Sequence, residues 1–511
     1  MAKPPLIGSI VALSLVLAAG FPAAGRAQAA SAYVPLDHPL LPLFDHLVAR
    51  GELEDPSPLV RPFRQSDALG ALARVDTVGH QRLAAQVRLL AQAFDTLPAE
   101  AGWELAPRAG IQGYTTPRRD LIRPTGSENL RPYVELGVSA RFGGIVAVTR
   151  PAIEPRLTRD PEWTGRRDLE ITGRMVDAYI SGQWRWVQVL YGQVERNWGP
   201  PGVAGIPLSN AGYGRPEISL TLGTDRVRLT AIASGLQTTT DSSGQVFRRY
   251  FFAHRLDAKL SSRLRLGLWE TVVVAGVDRD FDGRFRNPVT LLLLANQYGL
   301  GDKENNVMVG LDGYWRIGRS VNLAAQLAID DIQYKNRSGS TRYPDRYAFS
   351  LSASGALGRS LSWRALYTQA SSLAFRTFTP AQDFLDGGVG IGRTFDDYDQ
   401  TSLFASLPVG GPWLLTPEAT LLRQGAGRIQ DPVPLNHSVA AGNTPELFIG
   451  TVERTWRLAL NASGSHGPMA LTASAGFHHR VNVDNVAGRT TDRFVGRLFL
   501  TLGLRRRGTL Q

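Results

Sequence analysis

The chain has 511 residues, 56 Lys and Arg against 45 Asp and Glu, a formal net charge of +11 and no cysteine. Without cysteine there is no disulfide framework and no lipoprotein anchor. No stretch of about eighteen consecutive apolar residues follows the N-terminus, which excludes a helical membrane protein. Lysine occurs only at positions 3, 259, 303 and 335, so arginine carries nearly all the positive charge. Arginine's planar fork grips carboxylates and phosphates in pairs. The bias fits an acidic glycan or lipid phosphate as partner, or arginine-rich codon usage, and composition leaves both open.

Residues 1–29 read as a secretory signal peptide: Lys3 supplies the positive start, Leu6 to Ala19 the short apolar stretch, and Ala27-Gln28-Ala29 the small residues of a cleavage site. Residues 30–100 read as a helical segment. Leu43, Phe44 and Leu47 share a face of a first helix that stops at Gly51. Ser66 is the expected N-cap of a second helix reaching about Val75, and a third runs from Val78 to Leu97, ended by Pro98. His38, His46 and His80 are too scattered for a metal site and are expected to be exposed or capping.

From about Trp103 the period changes from 3.6 to 2. Tyr347, Phe349, Leu351, Ala353, Gly355 and Leu357 alternate with small or polar residues, and Met469, Leu471, Ala473, Ala475 and Phe477 do the same. Alternation alone also fits a soluble sandwich. Loop lengths decide, because long connections such as 116–130, 196–215, 275–305 and 373–398 alternate with tight turns such as Ser261-Ser262 and Gly410-Gly411. Short turns on one side and long loops on the other mark a membrane barrel. The expected fold is an all-β transmembrane barrel of about 18 antiparallel strands over 103–505, preceded by a small α-helical periplasmic domain that is a candidate plug. Residues 506–511 are expected as a tail. The even count requires Val289 to Leu300 to belong to a long loop. The expected location is the bacterial outer membrane, with long loops extracellular.

Several fragments carry a resemblance. Glu195-Arg196-Asn197-Trp198-Gly199-Pro200 and Leu208-Ser209-Asn210-Ala211 are followed by Phe252-Ala253-His254-Arg255-Leu256-Asp257 and Gly267-Leu268-Trp269-Glu270. Asn287-Pro288, Ala328-Ile329-Asp330-Asp331 and Leu422-Arg423-Gln424-Gly425 come next. In this order they resemble the Wzi family of capsule assembly proteins over about residues 103–505. The resemblance implies an outer-membrane barrel closed by helices, acting as a surface lectin for exported polysaccharide and not as an enzyme. The implied partners are an acidic capsular or exopolysaccharide, lipopolysaccharide and outer-membrane lipid, and the barrel-insertion machinery. No cofactor and no nucleic-acid partner is expected.

Arg196, Asn197, Trp198 and Asn210 are the candidate glycan contacts, since an aromatic face stacks on a sugar ring while arginine and asparagine read carboxylates and hydroxyls. The alternative is structural. Arg196 would pair with an interior carboxylate, Asp330 or Asp331, and 199–202 would form a rigid turn. Asp278, Asp280 and Asp282 before Gly283 begin like a calcium loop, but Val289 stands where a bidentate acid is needed, so a solvated acidic tip is expected and no metal. Two rival functions remain: an anion-preferring porin, and an outer-membrane enzyme, for which no nucleophile–base set is visible, His254 having no obvious serine partner.

Overall fold

The computed structural model describes residues 30–98, 100–297, 305–318, 321–332, 344–433 and 444–510. The expected signal peptide lies outside them. Nineteen strand segments form one closed antiparallel sheet. The last two, Thr490–Gly503 and Arg506–Thr509, both pair with the first, Ala101–Tyr114, as one interrupted strand, leaving eighteen positions round the barrel. The expected tail at 506–511 is corrected by this pairing: Gly102 to Leu105 lie opposite Thr509 to Arg506. Arg505 and Arg507 both donate to Glu104 at 2.6 Å, and Arg507 also reaches Asp95 at 2.5 Å, which latches the strand to the helical segment. The long connection after Leu264–Val277 holds the short helix Leu292–Gln297 and no strand among its described residues, as the parity required.

The wall inverts the polarity of a soluble protein. Leu458 (66% exposed), Leu268 (59%) and Phe494 (57%) face outward, while Arg255, Asp312, Glu135 and Arg150 are buried inside. Such an exterior is stable only against lipid, and closure gives every strand edge a partner. Outward Trp186, Trp315 and Phe142 sit beside the short turns, where an aromatic girdle marks the membrane boundary.

The helical segment fills the short-turn end. Helices Leu41–Ala49, Gln65–Leu72 and Gln81–Ala93 share a core of Phe44, Leu47, Phe63, Leu90 and Phe94. Two local expectations are corrected. Ser66 lies inside its helix, where its N–H donates to Ser31 Oγ at 3.1 Å, and the N-cap is Arg64, whose side chain makes no capping hydrogen bond. The third helix stops at Ala93, four residues before Leu97, with Phe94 folded into the core. Polar ties then join the segment to the wall. Asn322 Nδ2 donates to the Val48 carbonyl at 3.2 Å, Arg50 to the Leu361 carbonyl at 2.8 Å, Lys259 to Glu54 at 3.0 Å and Arg150 to Asp37 at 2.9 Å.

His38 is a capping residue, its Nδ1 accepting the Leu40 N–H at 3.2 Å, and His80 is exposed, as expected. His46 departs from that expectation: it is buried, with Nδ1 2.7 Å from Ser362 Oγ on the wall. Burial, helped by the charges of Arg50 and Arg82, pushes the His46 imidazole down to about 4. Burial likewise lowers His38 to about 4, with Arg108 and Arg150 adding to it and Asp37 opposing. Both are therefore neutral in the docked state. An undocked histidine binds its proton from pH 6.5 downward and a docked one only near 4, so docking is at full strength above 6.5 and weakens as pH falls through that window. Each histidine contributes at most about 3 kcal/mol. Limited proteolysis at 74–80, between the second and third helices, is expected to be slow at pH 7.5 and to accelerate at pH 4.5; equal rates would show that these histidines do not hold the segment.

Candidate functional site

The loops at 196–215 and 371–397 do not stand above the barrel but fold into it. After Val187–Gln193 the chain turns inward, so Arg196, Asn197 and Trp198 lie at the centre of the lumen and not where the chain leaves the membrane. Asn197 exchanges backbone hydrogen bonds with Arg61 of the helical segment at 2.8 and 3.0 Å, so loop and helices meet there. Its side chain holds the turn, accepting the Gly205 N–H at 2.7 Å and donating to the Val203 carbonyl at 2.9 Å. Trp198 is fully buried among apolar residues, with the Arg255 guanidinium 5.7 Å from its ring centroid. Arg255, itself fully buried, grips Asp312 with both Nη atoms at 2.7 and 2.8 Å and Asp257 through Nε at 2.9 Å. Gln326 bridges Asp312, at 3.1 Å, and the Trp198 carbonyl, at 2.8 Å. Gly267 passes so close that a Cβ there would collide with Asp312 and Arg255.

Arg196 pairs with Glu217 at 2.7 Å and donates to Ser219 at 3.0 Å, so the expected pairing with Asp330 or Asp331 is corrected. Those two acids fasten a different loop. Asp330 accepts the Phe375 N–H at 3.0 Å, and Asp331 pairs with Arg346 at 2.5 Å. The loop at 371–397 carries Phe375, Phe384, Ile391 and Phe395 into the apolar core around Trp198. It locks to the first loop through Ser209, whose N–H reaches the Ile391 carbonyl at 3.0 Å and whose hydroxyl reaches that of Gly392 at 2.5 Å. A Cβ at Gly392 would strike the Ile206 carbonyl, so glycine is required there. Asp397 gathers a third loop, accepting N–H groups from Gly427 at 3.0 Å, Phe448 at 2.5 Å and Ile449 at 2.9 Å.

Two interior cavities among the described residues are small. The cavity between the first helix and the wall, lined by His46, Asn322 and Arg364, holds about 70 Å³, and the pocket beside Arg196 and Asn210 about 20 Å³. These admit water but no sugar ring. A wider recess of about 570 Å³, lined by Arg50, Arg82 and Arg359, lies at the short-turn rim. Asp278, Asp280 and Asp282 do not converge: Asp282 pairs with Arg284 at 2.7 Å, and no cluster of three metal-ligating side chains occurs among the described residues.

The long-loop mouth instead gathers an aromatic–arginine cluster that was not among the expected site residues. Trp163 and Tyr213, both half-buried, meet edge to face at 5.0 Å. Arg119 lies 5.1 Å and Arg174 5.3 Å from the Tyr213 ring. Arg119 is held by Glu195 at 3.0 Å, while exposed Arg167 donates to the Pro161 and Trp163 carbonyls at 2.8 Å. Beneath them Glu154 takes Arg156 at 2.8 Å and Arg174 at 3.0 Å. Burial would raise the Glu154 carboxyl, but the two arginines outweigh it and hold it at about 2. Asn210 is half-buried beside Tyr213 and Arg215. The arrangement presents aromatic edges and guanidinium groups on a fixed base, which suits a carbohydrate bearing carboxylates. Trp163 and Tyr213 belong to no spaced motif; the local signal was the arginine pairs at 118–119 and 166–167.

No family model matches the chain, and no curated protein matches it by sequence. Among solved structures it is similar to Wzi of Escherichia coli, described as an outer membrane protein involved in group 1 capsule assembly and a carbohydrate-binding β-barrel. The likeness has a TM-score of 0.64 and 13% sequence identity, and covers 94% of this chain and all of that one. The fold is that of the Wzi barrel. The ordered fragments at 195–200, 252–257, 267–270, 328–331 and 422–425 now have a common explanation. Most of them hold an inward-folded loop against the wall of this Wzi-like barrel. Weaker likenesses are to OccAB2 of Acinetobacter baumannii (TM-score 0.46, 11% identity, 79% of this chain and 98% of that one) and OprD of Pseudomonas aeruginosa (0.43, 11%, 79% and 95%).

Proposed function

We propose that the chain is an outer-membrane surface protein that binds an acidic capsular or exopolysaccharide, with its long loops outside the cell and its helical segment in the periplasm. The observation that carries this is the meeting of helices from one end and loops from the other at Arg61 and Asn197, which suits a rigid platform better than a conduit. The likeness to a carbohydrate-binding barrel supports the same reading. Lipid surrounds the apolar wall, lipopolysaccharide borders the loops, and the barrel reaches its place through the insertion machinery.

The glycan surface centres on Trp163, Arg167, Arg119, Tyr213 and Asn210. Arg196, Asn197 and Trp198 support that surface from below, and substituting Trp198 tests packing of the lumen. Each sugar hydroxyl contact nets only about 1 kcal/mol, so attachment depends on many polymer repeats meeting many molecules. Trp163→Ala combined with Arg167→Ala is expected to lower binding of an acidic polysaccharide to the reconstituted protein by about tenfold while the barrel stays resistant to detergent. Raising salt should weaken the wild-type interaction, because exposed charge pairs are screened. Failure of the intact protein to bind any acidic polysaccharide in a glycan array would refute the reading.

A further inference from the structure

The wall at the eighth and ninth strands of the barrel holds an unusual polar pair. On strands Val246–Lys259 and Leu264–Val277, Leu256 faces Leu268, His254 faces Glu270 and Phe252 faces Val272 across the ladder. Leu256 and Leu268 are exposed on the lipid side, and these positions share their face, while the alternate Arg255 and Trp269 point into the lumen. His254 and Glu270 therefore stand on the lipid-facing surface, 3.3 Å apart. Yet Phe252, Val272 and Val274 on that face are fully buried.

Their cover is the connection that follows Val277. Phe285, Leu292 and Ala295 pack on Phe252, Val272 and Val274, and Phe281 lies 5.4 Å from Tyr250 and 5.3 Å from Phe252. The Glu270 carboxylate receives the first N–H groups of helix Leu292–Gln297, from Leu292 at 2.8 Å and Leu293 at 3.1 Å. Asn296 closes the return, donating to the Asn305 carbonyl at 2.9 Å and accepting its N–H at 2.8 Å. Unlike the loops that fold into the lumen, this one folds down the outside of the wall.

From Val289 to Leu294 its outer surface is apolar, whereas Arg286 and Asn287 just before it are exposed polar side chains. Val289 (70% exposed), Leu291 (60%), Leu293 (42%) and Leu294 (57%) are left open among the described residues. Glu270 lies opposite Val309, six residues along its strand from girdle residue Trp315. At about 3.3 Å per residue and a tilt of about 40°, that places the helix about 15 Å above the girdle, well inside a hydrocarbon band about 25 Å tall. The four apolar side chains continue the barrel's own lipid-facing surface.

We propose that residues 289–296 form a membrane-embedded flap on the outer wall, its leucines among the acyl chains of the outer leaflet. The flap shields the His254–Glu270 pair, which bare hydrocarbon would not tolerate, and pins the barrel's depth in the bilayer. Nothing in this depends on the polysaccharide reading.

The chain has no cysteine, so single spin labels report without background. In proteoliposomes, labels at Leu293→Cys and Leu291→Cys should collide freely with oxygen and rarely with a water-soluble nickel chelate, matching Leu268→Cys on the bare wall. Ser243→Cys, at an exposed loop tip, should show the reverse. Adding Glu270→Ala should sharpen the Leu293→Cys spectrum as the helix loses its acceptor. Nickel access equal to that of Ser243→Cys would place the flap in water and overturn the proposal. Protection from both reagents would overturn it too, by showing that protein covers this face.

Discussion

Asp312→Ala is expected to destabilise the barrel by about 3 kcal/mol, the scale of leaving a buried charge without its partner. Arg255 is fully buried, and Asp312 accepts two of its three hydrogen bonds to carboxylates, with Asp257 keeping the third. The loss reaches further, because Gln326 uses Asp312 to orient itself toward the Trp198 carbonyl at the point where loops and helices meet. Thermal unfolding of the detergent-solubilised protein, followed by gel mobility of unheated samples, would show the effect. Replacing both partners, Arg255→Met with Asp312→Leu, should recover much of the loss, since no charge is then stranded. Equal melting of wild type and Asp312→Ala would show that this ion pair does not hold the lumen together.

The wall was legible in the sequence because its physics is periodic. Alternation of Leu458, Leu460 and their neighbours with small or polar residues reports two solvents, and loop parity reports which end is which. The interior was not, because inward loops leave no period. Arg196 and Trp198 look like surface chemistry until the chain is seen turning into the lumen, where Glu217 and the apolar core claim them. His254 stood on the apolar register of its strand without apparent reason. The reason is Glu270 across the ladder and the segment that covers both, a relation between positions that no local pattern contains. Residues 506–511 read as a tail because the partners of Arg507, Glu104 and Asp95, lie some four hundred residues earlier.

Closure of the barrel is the centre of this account, and single-channel recording in planar bilayers tests it most directly. Among the described residues, loops from one end and helices from the other meet at Asn197 and Arg61, and two interior cavities beside them hold about 70 and 20 Å³, room for water. An eighteen-stranded barrel with an empty lumen would conduct like a porin, since barrels of 16–18 strands leave an aqueous channel. The intact protein at neutral pH is therefore expected to insert without current steps of porin size. Large, ohmic, long-lived steps from the intact protein would contradict the closed barrel and return the chain to the class of diffusion channels.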